Sequence, residues 1–278
     1  MCRYLVGIGE ILWDMLPSGK MPGGAPANFA HNAAVLGQSS VFISAIGADA
    51  EGDQLIDTIN SHNINHCLQR NDHPTGLVNV ALDVQGIPAY DIVENSAWDY
   101  IEYTPELHDC ATKAVAVCWG TLAQRNEVSR QTIVKFVENT PDDCIRIFDI
   151  NLRQHYYDRD IIEQSLLLCD TLKINDEELI AVSELLDLGN NPCRELMQRY
   201  SLKTVIVTCG AYGSYIHTDE GTSYLPTPRV NVVDTIGAGD AFASAYVVST
   251  IRGKDVAEAH RIAVDWAAEV CTHAGAMI

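Results

Sequence analysis

The sequence predicts an α/β protein built around a central, mostly parallel sheet flanked by helices. Three observations carry that prediction. Short, nearly continuous apolar runs read as strands covered on both faces, helical patterns stand between them, and no repeat or low-complexity linker divides the chain.

Tyr4–Ile11 opens the series as a strand, followed by a helix over Asn28–Leu36, a strand over Ser40–Ile46 and a helix over Gly52–Asn60. Thr75–Tyr103 breaks the rhythm: Gly76–Asp83 alternates in polarity, Gln85-Gly86 reads as a turn, and Ala89–Glu94 returns as a second strand. Two strands are not stable alone, so this hairpin must pair with others or lie on the main body as a small β lid. A surface hairpin without a functional role satisfies the same spacing. Strands over Ala114–Cys118, Ile145–Ile150, Thr171–Ile174 and Thr204–Thr208 then alternate with helices over Ser129–Val137, Ile161–Cys169, Glu177–Leu186 and Cys193–Tyr200. An extended stretch, Arg229–Val233, leads through a Gly-rich turn into a helix over Ala241–Ile251. The reading is one domain over residues 1–278, its lid contributed mainly by about residues 75–103.

Composition closes several doors. Among 278 residues, 18 Lys and Arg face 37 Asp and Glu, a net charge of −19 that a phosphate backbone would repel. No run of Lys and Arg offers a local exception, so nucleic acid is not an expected partner. No apolar stretch approaches a membrane span, and the N-terminus lacks a secretory pattern. The nine cysteines are odd in number, show no Cys-x-x-Cys spacing and lie mostly in apolar segments, which reads as reduced thiols in the cytoplasm.

Three segments carry chemistry. In Asp234-Thr235-Ile236-Gly237-Ala238-Gly239-Asp240 a Gly-rich turn opens a helix, presenting free backbone N–H groups at the positive end of the helix dipole, where phosphate binds. Asp240 places a carboxylate beside that anion site, suited to accept a proton from an attacking hydroxyl; a helix-stabilising first-turn acid is the alternative. The second segment joins Asp14 to Gly23-Gly24-Ala25-Pro26-Ala27-Asn28, a grouping able to approach and bond a polyol, although Asn28 also reads as a helix cap. The third is a set of polar strand ends: Asp149-Ile150-Asn151-Leu152-Arg153, Lys173-Ile174-Asn175-Asp176-Glu177-Glu178 and Thr208-Cys209-Gly210-Ala211-Tyr212-Gly213. Carboxyl ends of parallel strands face one crevice. Asn175 and Glu178 suit either a water-mediated Mg²⁺ site or a helix N-cap with an acidic first turn. A P-loop is absent, and Gly7-x-Gly9 is followed by Leu12 where a dinucleotide fingerprint needs its third glycine.

Together these residues resemble the PfkB (ribokinase-like) carbohydrate kinases. Gly23–Asn28 is similar to that family's N-terminal signature, Asp234–Asp240 to its C-terminal one, Asn175–Glu178 to its Asn-x-x-Glu motif, and Thr208, Gly210 and Gly213 to its Thr-x-Gly-x-x-Gly. Gly9–Asp14, Ala97-Trp98-Asp99, Gly120–Arg125 and Asp149–Arg153 are similar to the bacterial fructokinase branch. Ile236 departs from the family's second Thr, and the chain stops at Ile278 without a short terminal extension.

The resemblance implies a ribokinase-like fold with a lid that often mediates homodimers, and ATP-dependent phosphorylation of a small sugar, D-fructose first. A kinase for 2-keto-3-deoxygluconate, ribose or a nucleoside, and a non-catalytic sugar-binding regulator, stay open beside it. It implies Asp240 as base; Gly237, Ala238 and Gly239 as the anion hole; and Arg153 near the γ-phosphate. Asp14, Gly23, Gly24, Asn28, Trp98, Gln124 and Arg125 would bind sugar. Asn175, Thr208, Gly210 and Gly213 would bind ATP together with Gly237 and Gly239. Asn175 and Glu178 would position Mg²⁺. Asp234, Ile236 and Gly275 occupy positions comparable to those around a monovalent cation such as K⁺ in many relatives.

Overall fold

The computed structural model describes residues 3–16, 19–62, 64–82 and 88–278. In chain order its elements are β1 (Tyr4–Ile8), β2 (Leu12–Leu16), β3 (Gly19–Gly23), α1 (Ala25–Val35), β4 (Ser40–Gly47), α2 (Ala50–Ser61), β5 (His66–Asn71), β6 (Gly76–Leu82), β7 (Pro88–Ile92) and α3 (Pro105–Ala111). There follow β8 (Ala114–Trp119), α4 (Glu127–Glu138), β9 (Ile145–Asp149), α5 (Arg159–Leu168), β10 (Thr171–Asn175), α6 (Asp176–Leu185) and α7 (Pro192–Tyr200). The chain ends with β11 (Thr204–Thr208), β12 (Ser214–Thr218), β13 (Gly221–Leu225), α8 (Ala238–Ile251) and α9 (Val256–Val270).

The apolar strands assemble into one sheet of nine, ordered β13-β12-β11-β10-β9-β8-β1-β4-β5, parallel from β11 through β5. Only the β11–β12 and β12–β13 pairs are antiparallel. Successive side chains of a strand alternate faces, so both faces carry apolar layers. Val6, Ile8, Val117 and Trp119 pack with α3 to α7, while Leu5, Ala116 and Cys118 pack against α1 and α8. Between β1 and α1 the fit is backbone to backbone: a Cβ at Gly7 would strike the Pro26 carbonyl. The helix α8 is apolar all round because it also packs on α1 and α9.

The lid differs from expectation. A second sheet of order β3-β2-β6-β7 takes two of its strands from residues 12–23, so residues 75–103 do not supply most of it. The chain leaves the main sheet at Gly9, where φ is 152° and a side chain would meet the Pro26 ring; hence β1 stops at Ile8 and the polypeptide continues as β2 in the other sheet. Ala97–Tyr100 is a 3₁₀ turn whose Ala97 and Trp98 belong to the main core, not to the lid. The turn expected at Gln85-Gly86 lies outside the described residues. Arg229–Val233 forms no strand; Val233 N–H donates to Cys271 O at 2.9 Å instead.

Candidate active site

The carboxyl ends of β1, β8, β9 and β10 share one edge of the main sheet, and the small sheet stands over it. Between them lies a cavity of about 600 Å³. Its walls come from Leu12, Asp14, Val78 and Ile92 of the lid, from Gly23, Gly24 and Asn28 at the start of α1, from Asn151–Gln154 beyond β9, and from Thr235–Gly237 and Asp240 at α8.

Asp240 is the centre of this crevice. It sits in the first turn of α8, and Asn28 Nδ2 donates to its Oδ2 at 2.8 Å, joining two segments 212 residues apart. Burial first, then the negative charge of Asp149, pushes its carboxyl up to about 7; Lys173, the Asn28 bond and Arg153 pull the other way. Lys173 is buried and donates to Asp149 Oδ1 at 2.9 Å. A Cβ at Gly239 would lie 2.8 Å from its Nζ, so only glycine leaves room for that ammonium behind the turn. Burial alone would lower Lys173, but Asp149, Glu178 and Asp240 together hold it above its ordinary range.

The Gly-rich turn has the geometry of an anion cradle. Gly237 caps α8 at φ 77°, and a side chain there would collide with Ala276. Ala238 N–H leans on Thr235 O at 3.3 Å, so of the three amides expected in the hole this one has an internal partner. Asp234 braces the turn: its Oδ1 accepts from Ile236 N–H at 3.0 Å and its Oδ2 from Gly275 N–H at 3.1 Å. Asp234, Ile236 and Gly275 are thus brought together, with both Asp234 oxygens engaged by amides.

Asn175 and Glu178 form the capping box that the sequence also allowed. Glu178 N–H donates to Asn175 Oδ1 at 2.8 Å, and Asn175 N–H donates to Glu178 Oε2 at 2.9 Å. The other oxygen, Oε1, accepts from Leu152 N–H at 3.0 Å, which ties the Asn151–Gln154 turn to α6. Asn151 and Gln154 both adopt positive φ, 42° and 48°, and this turn carries Arg153 into the crevice. Among the described residues no group of three or more His, Cys, Asp or Glu side chains is arranged to hold a metal. Glu178 retains a lone pair on each oxygen, which fits a metal met through water and not by direct ligation.

Thr208 ends β11 beside Asn175, and Gly210 and Gly213 shape the turn that follows, at φ 52° and 114°. They do not line the cavity. The turn is exposed, with Thr227 Oγ1 donating to Gly210 O at 2.6 Å and Tyr212 open to solvent.

Three expected sugar contacts are elsewhere. Trp98 is fully buried in the core. The Gln124 amide donates to Gly120 O and Ser165 Oγ at 2.8 and 2.9 Å. Arg125 grips Asp99 through two 2.8 Å bonds, donates to Val93 O at 2.6 Å and lies 4.0 Å over the Trp98 ring. It faces a separate cavity of about 380 Å³ with Glu94, His155 and Tyr156. The resemblance to the fructokinase branch suggested the sugar side; hydrogen bonds and core packing hold these side chains away from it.

Glu10, absent from the expected set, does line the crevice. It is 3% exposed, its Oε2 has no hydrogen-bond partner, and burial pushes its carboxyl up to about 7. An acid immediately after the apolar strand β1 was the available signal.

Comparison with known proteins adds an independent line. Residues 18–278 match the profile of the pfkB family carbohydrate kinases. A probable chloroplastic fructokinase-6 of Arabidopsis thaliana is 31% identical over 261 residues, covering 86% of this chain and 68% of its own. A fructokinase of Salmonella typhimurium is 28% identical over 256 residues, 87% of this chain and 82% of that one. The crystal structure of a fructokinase with bound ATP from Xylella fastidiosa superposes with a TM-score of 0.88 at 23% identity, over 100% of this chain and 94% of that one.

Proposed function

The chain belongs to the pfkB family of carbohydrate kinases, and from that premise we propose that it transfers the γ-phosphoryl group of ATP to a hydroxyl of a small neutral sugar, D-fructose first, giving fructose 6-phosphate. The observation that carries this reading is Asp240: a partly buried carboxyl near neutrality, held by Asn28 and placed between the polyol-facing wall and the Gly-rich turn. Its task is to take the proton of the acceptor hydroxyl as the oxygen attacks. A general base works best when its pKa lies near the operating pH.

ATP supplies the phosphoryl group and leaves as ADP. The amides of Gly237 and Gly239, at the positive end of α8, face the charge that develops on that group, and Arg153 adds a cation at the crevice rim. Thr208, Gly210 and Gly213 border the exposed turn offered to the nucleotide, and Asn175 stands beside Thr208. A Mg²⁺ carried on the phosphates would neutralise their charge, with Asn175 and Glu178 holding its waters. Asp234, Ile236 and Gly275 are the corresponding candidates for K⁺. Asp14 and the Gly23-Gly24 backbone complete the sugar side.

The sugar acid 2-keto-3-deoxygluconate fits less well, because Arg125, one of two cations that would receive a carboxylate, is committed to Asp99. No helix among the described residues is long and apolar enough to cross a membrane. The eight described cysteines are free thiols, which supports a reducing cytoplasmic setting. The same reading carries a homodimer through the small sheet, checked by sedimentation at assay concentration. The decisive experiment is coupled ADP release over a panel of sugars and nucleosides with Mg²⁺ and K⁺ varied. Turnover with none of them overturns the kinase reading, and a non-ketohexose outpacing fructose overturns the fructose assignment alone.

A further inference from the structure

The side of the crevice around Glu10, Asp14, Asn28 and Asp240 is rich in hydrogen-bond acceptors. Glu10 Oε2 and Asn28 Oδ1 are both buried on its wall without a partner, and the Asn28 amide nitrogen is already spent on Asp240. Asp14 and Asp240 add two more carboxyl groups. Against these stands Arg153, the only basic side chain among the described lining residues; it is exposed, and its Nη1 donates to Leu152 O at 3.0 Å.

A buried acceptor left unpaired costs the full desolvation of that group, unless a ligand donates to it or it takes up a proton. The Glu10 carboxyl lies near the start of α1, where Gly24 provides no side-chain cap, and the Ala25 amide draws its pKa down while burial raises it. That amide does not satisfy Oε2. A ligand able to do so must present several hydroxyl donors, to reach Glu10 and Asn28 while Asp240 receives the reacting one. A carboxylate on the ligand set against Glu10 would instead bring negative charge to a side that also carries Asp14 and Asp240, and like charges at close quarters are strongly disfavoured.

We propose that Glu10 is a specificity-determining residue of this crevice: its buried carboxyl accepts a hydroxyl of a neutral polyol and disfavours the carboxylate of a sugar acid. The phosphorylation chemistry rests on the kinase reading above, whereas the choice of ligand rests on the cavity wall alone.

Titration calorimetry on the full chain without nucleotide tests the ligand class, using fructose, ribose and 2-keto-3-deoxygluconate. The better neutral sugar should bind at least about tenfold more tightly than the sugar acid. A sugar acid that matches or exceeds the neutral sugars overturns the proposal. For Glu10→Gln, which keeps the size and loses the charge, neutral-sugar affinity should fall about three- to tenfold, as expected for a lost charge-assisted bond. The gap to the sugar acid should narrow by about tenfold, and KM should rise more than kcat falls. If Glu10 only stabilises the start of α1, the variant melts earlier with the gap unchanged, and its assigned role is wrong. Should Glu10→Gln not fold, the wild-type comparison of the neutral sugars with the sugar acid still decides the ligand class. Sugar binding without ADP release would sink the kinase reading and leave the Glu10 result standing.

Discussion

Two polar clusters on the strand-end side of the molecule meet opposite fates. Around Arg125 the charges close on themselves: Asp99 takes two of its N–H groups, Val93 O takes another, and the guanidinium is sandwiched between the Trp98 and Tyr156 rings at 4.0 and 4.7 Å. Around Asp240 they do not close. Glu10, Asp14 and Asp240 line a cavity whose one basic side chain among the described lining residues is the exposed Arg153. Lys173 is buried and paired with Asp149, and two buried acceptors have no partner. The Arg125 cluster keeps spare donors, the Arg125 Nη1 and the Trp98 indole N–H, but its ion pair is complete. A cluster that satisfies its own charges holds structure together. One that leaves them unsatisfied is prepared for something else to arrive.

The sharpest way to break this contrast is Asp240→Asn. Asn keeps the size and can still stand at the start of α8, yet cannot accept a proton, so kcat should fall roughly 10²–10⁴-fold. Retention of more than about a tenth of wild-type kcat in a steady-state assay would refute the base role.

Arg125→Ala should do the reverse. It strands the buried Asp99 carboxylate, so stability should drop by about 3–5 kcal/mol in denaturant titration. The KM for sugar in the folded fraction should move far less than in Glu10→Gln. A KM effect equal to that of Glu10→Gln would return Arg125 to the sugar site.

The smallest effect concerns pH. The folded pKa of Asp240, about 7, lies above its ordinary value of 3.8. Folding therefore favours the protonated form, and stability is lost as pH rises from about 4 through 7. Asp240→Asn removes an ionisation that the fold opposes, so its Tm relative to wild type should be higher at pH 8 than at pH 5. Catalysis runs the other way: kcat/KM should rise as pH passes upward through 7, because the base must be ionised. A Tm difference independent of pH between 5 and 8 would mean that Asp240 is not strained.

What the sequence determined by itself was local or periodic. Alternating apolar runs and helical patterns specify the layered α/β body, since strand and helix periods follow from neighbouring residues. Gly237, Gly239 and Asp240 are contiguous, so the cradle and the carboxylate beside it were legible together, as was the Asn175–Glu178 capping box. The tertiary structure alone decided which polar side chains share a cavity. The sequence assigns residues 12–23 no part in the lid, yet they supply half of the small sheet because Gly9 turns the chain out of the main one. Arg125 turns to Asp99, 26 residues away, and Asn28 reaches Asp240 across 212. Glu10 is marked in the sequence only as an acid after an apolar strand; its burial arises when α1, α8 and the lid close around the end of β1. Partner choice at that separation is set by the packing of whole layers, and no local pattern carries it.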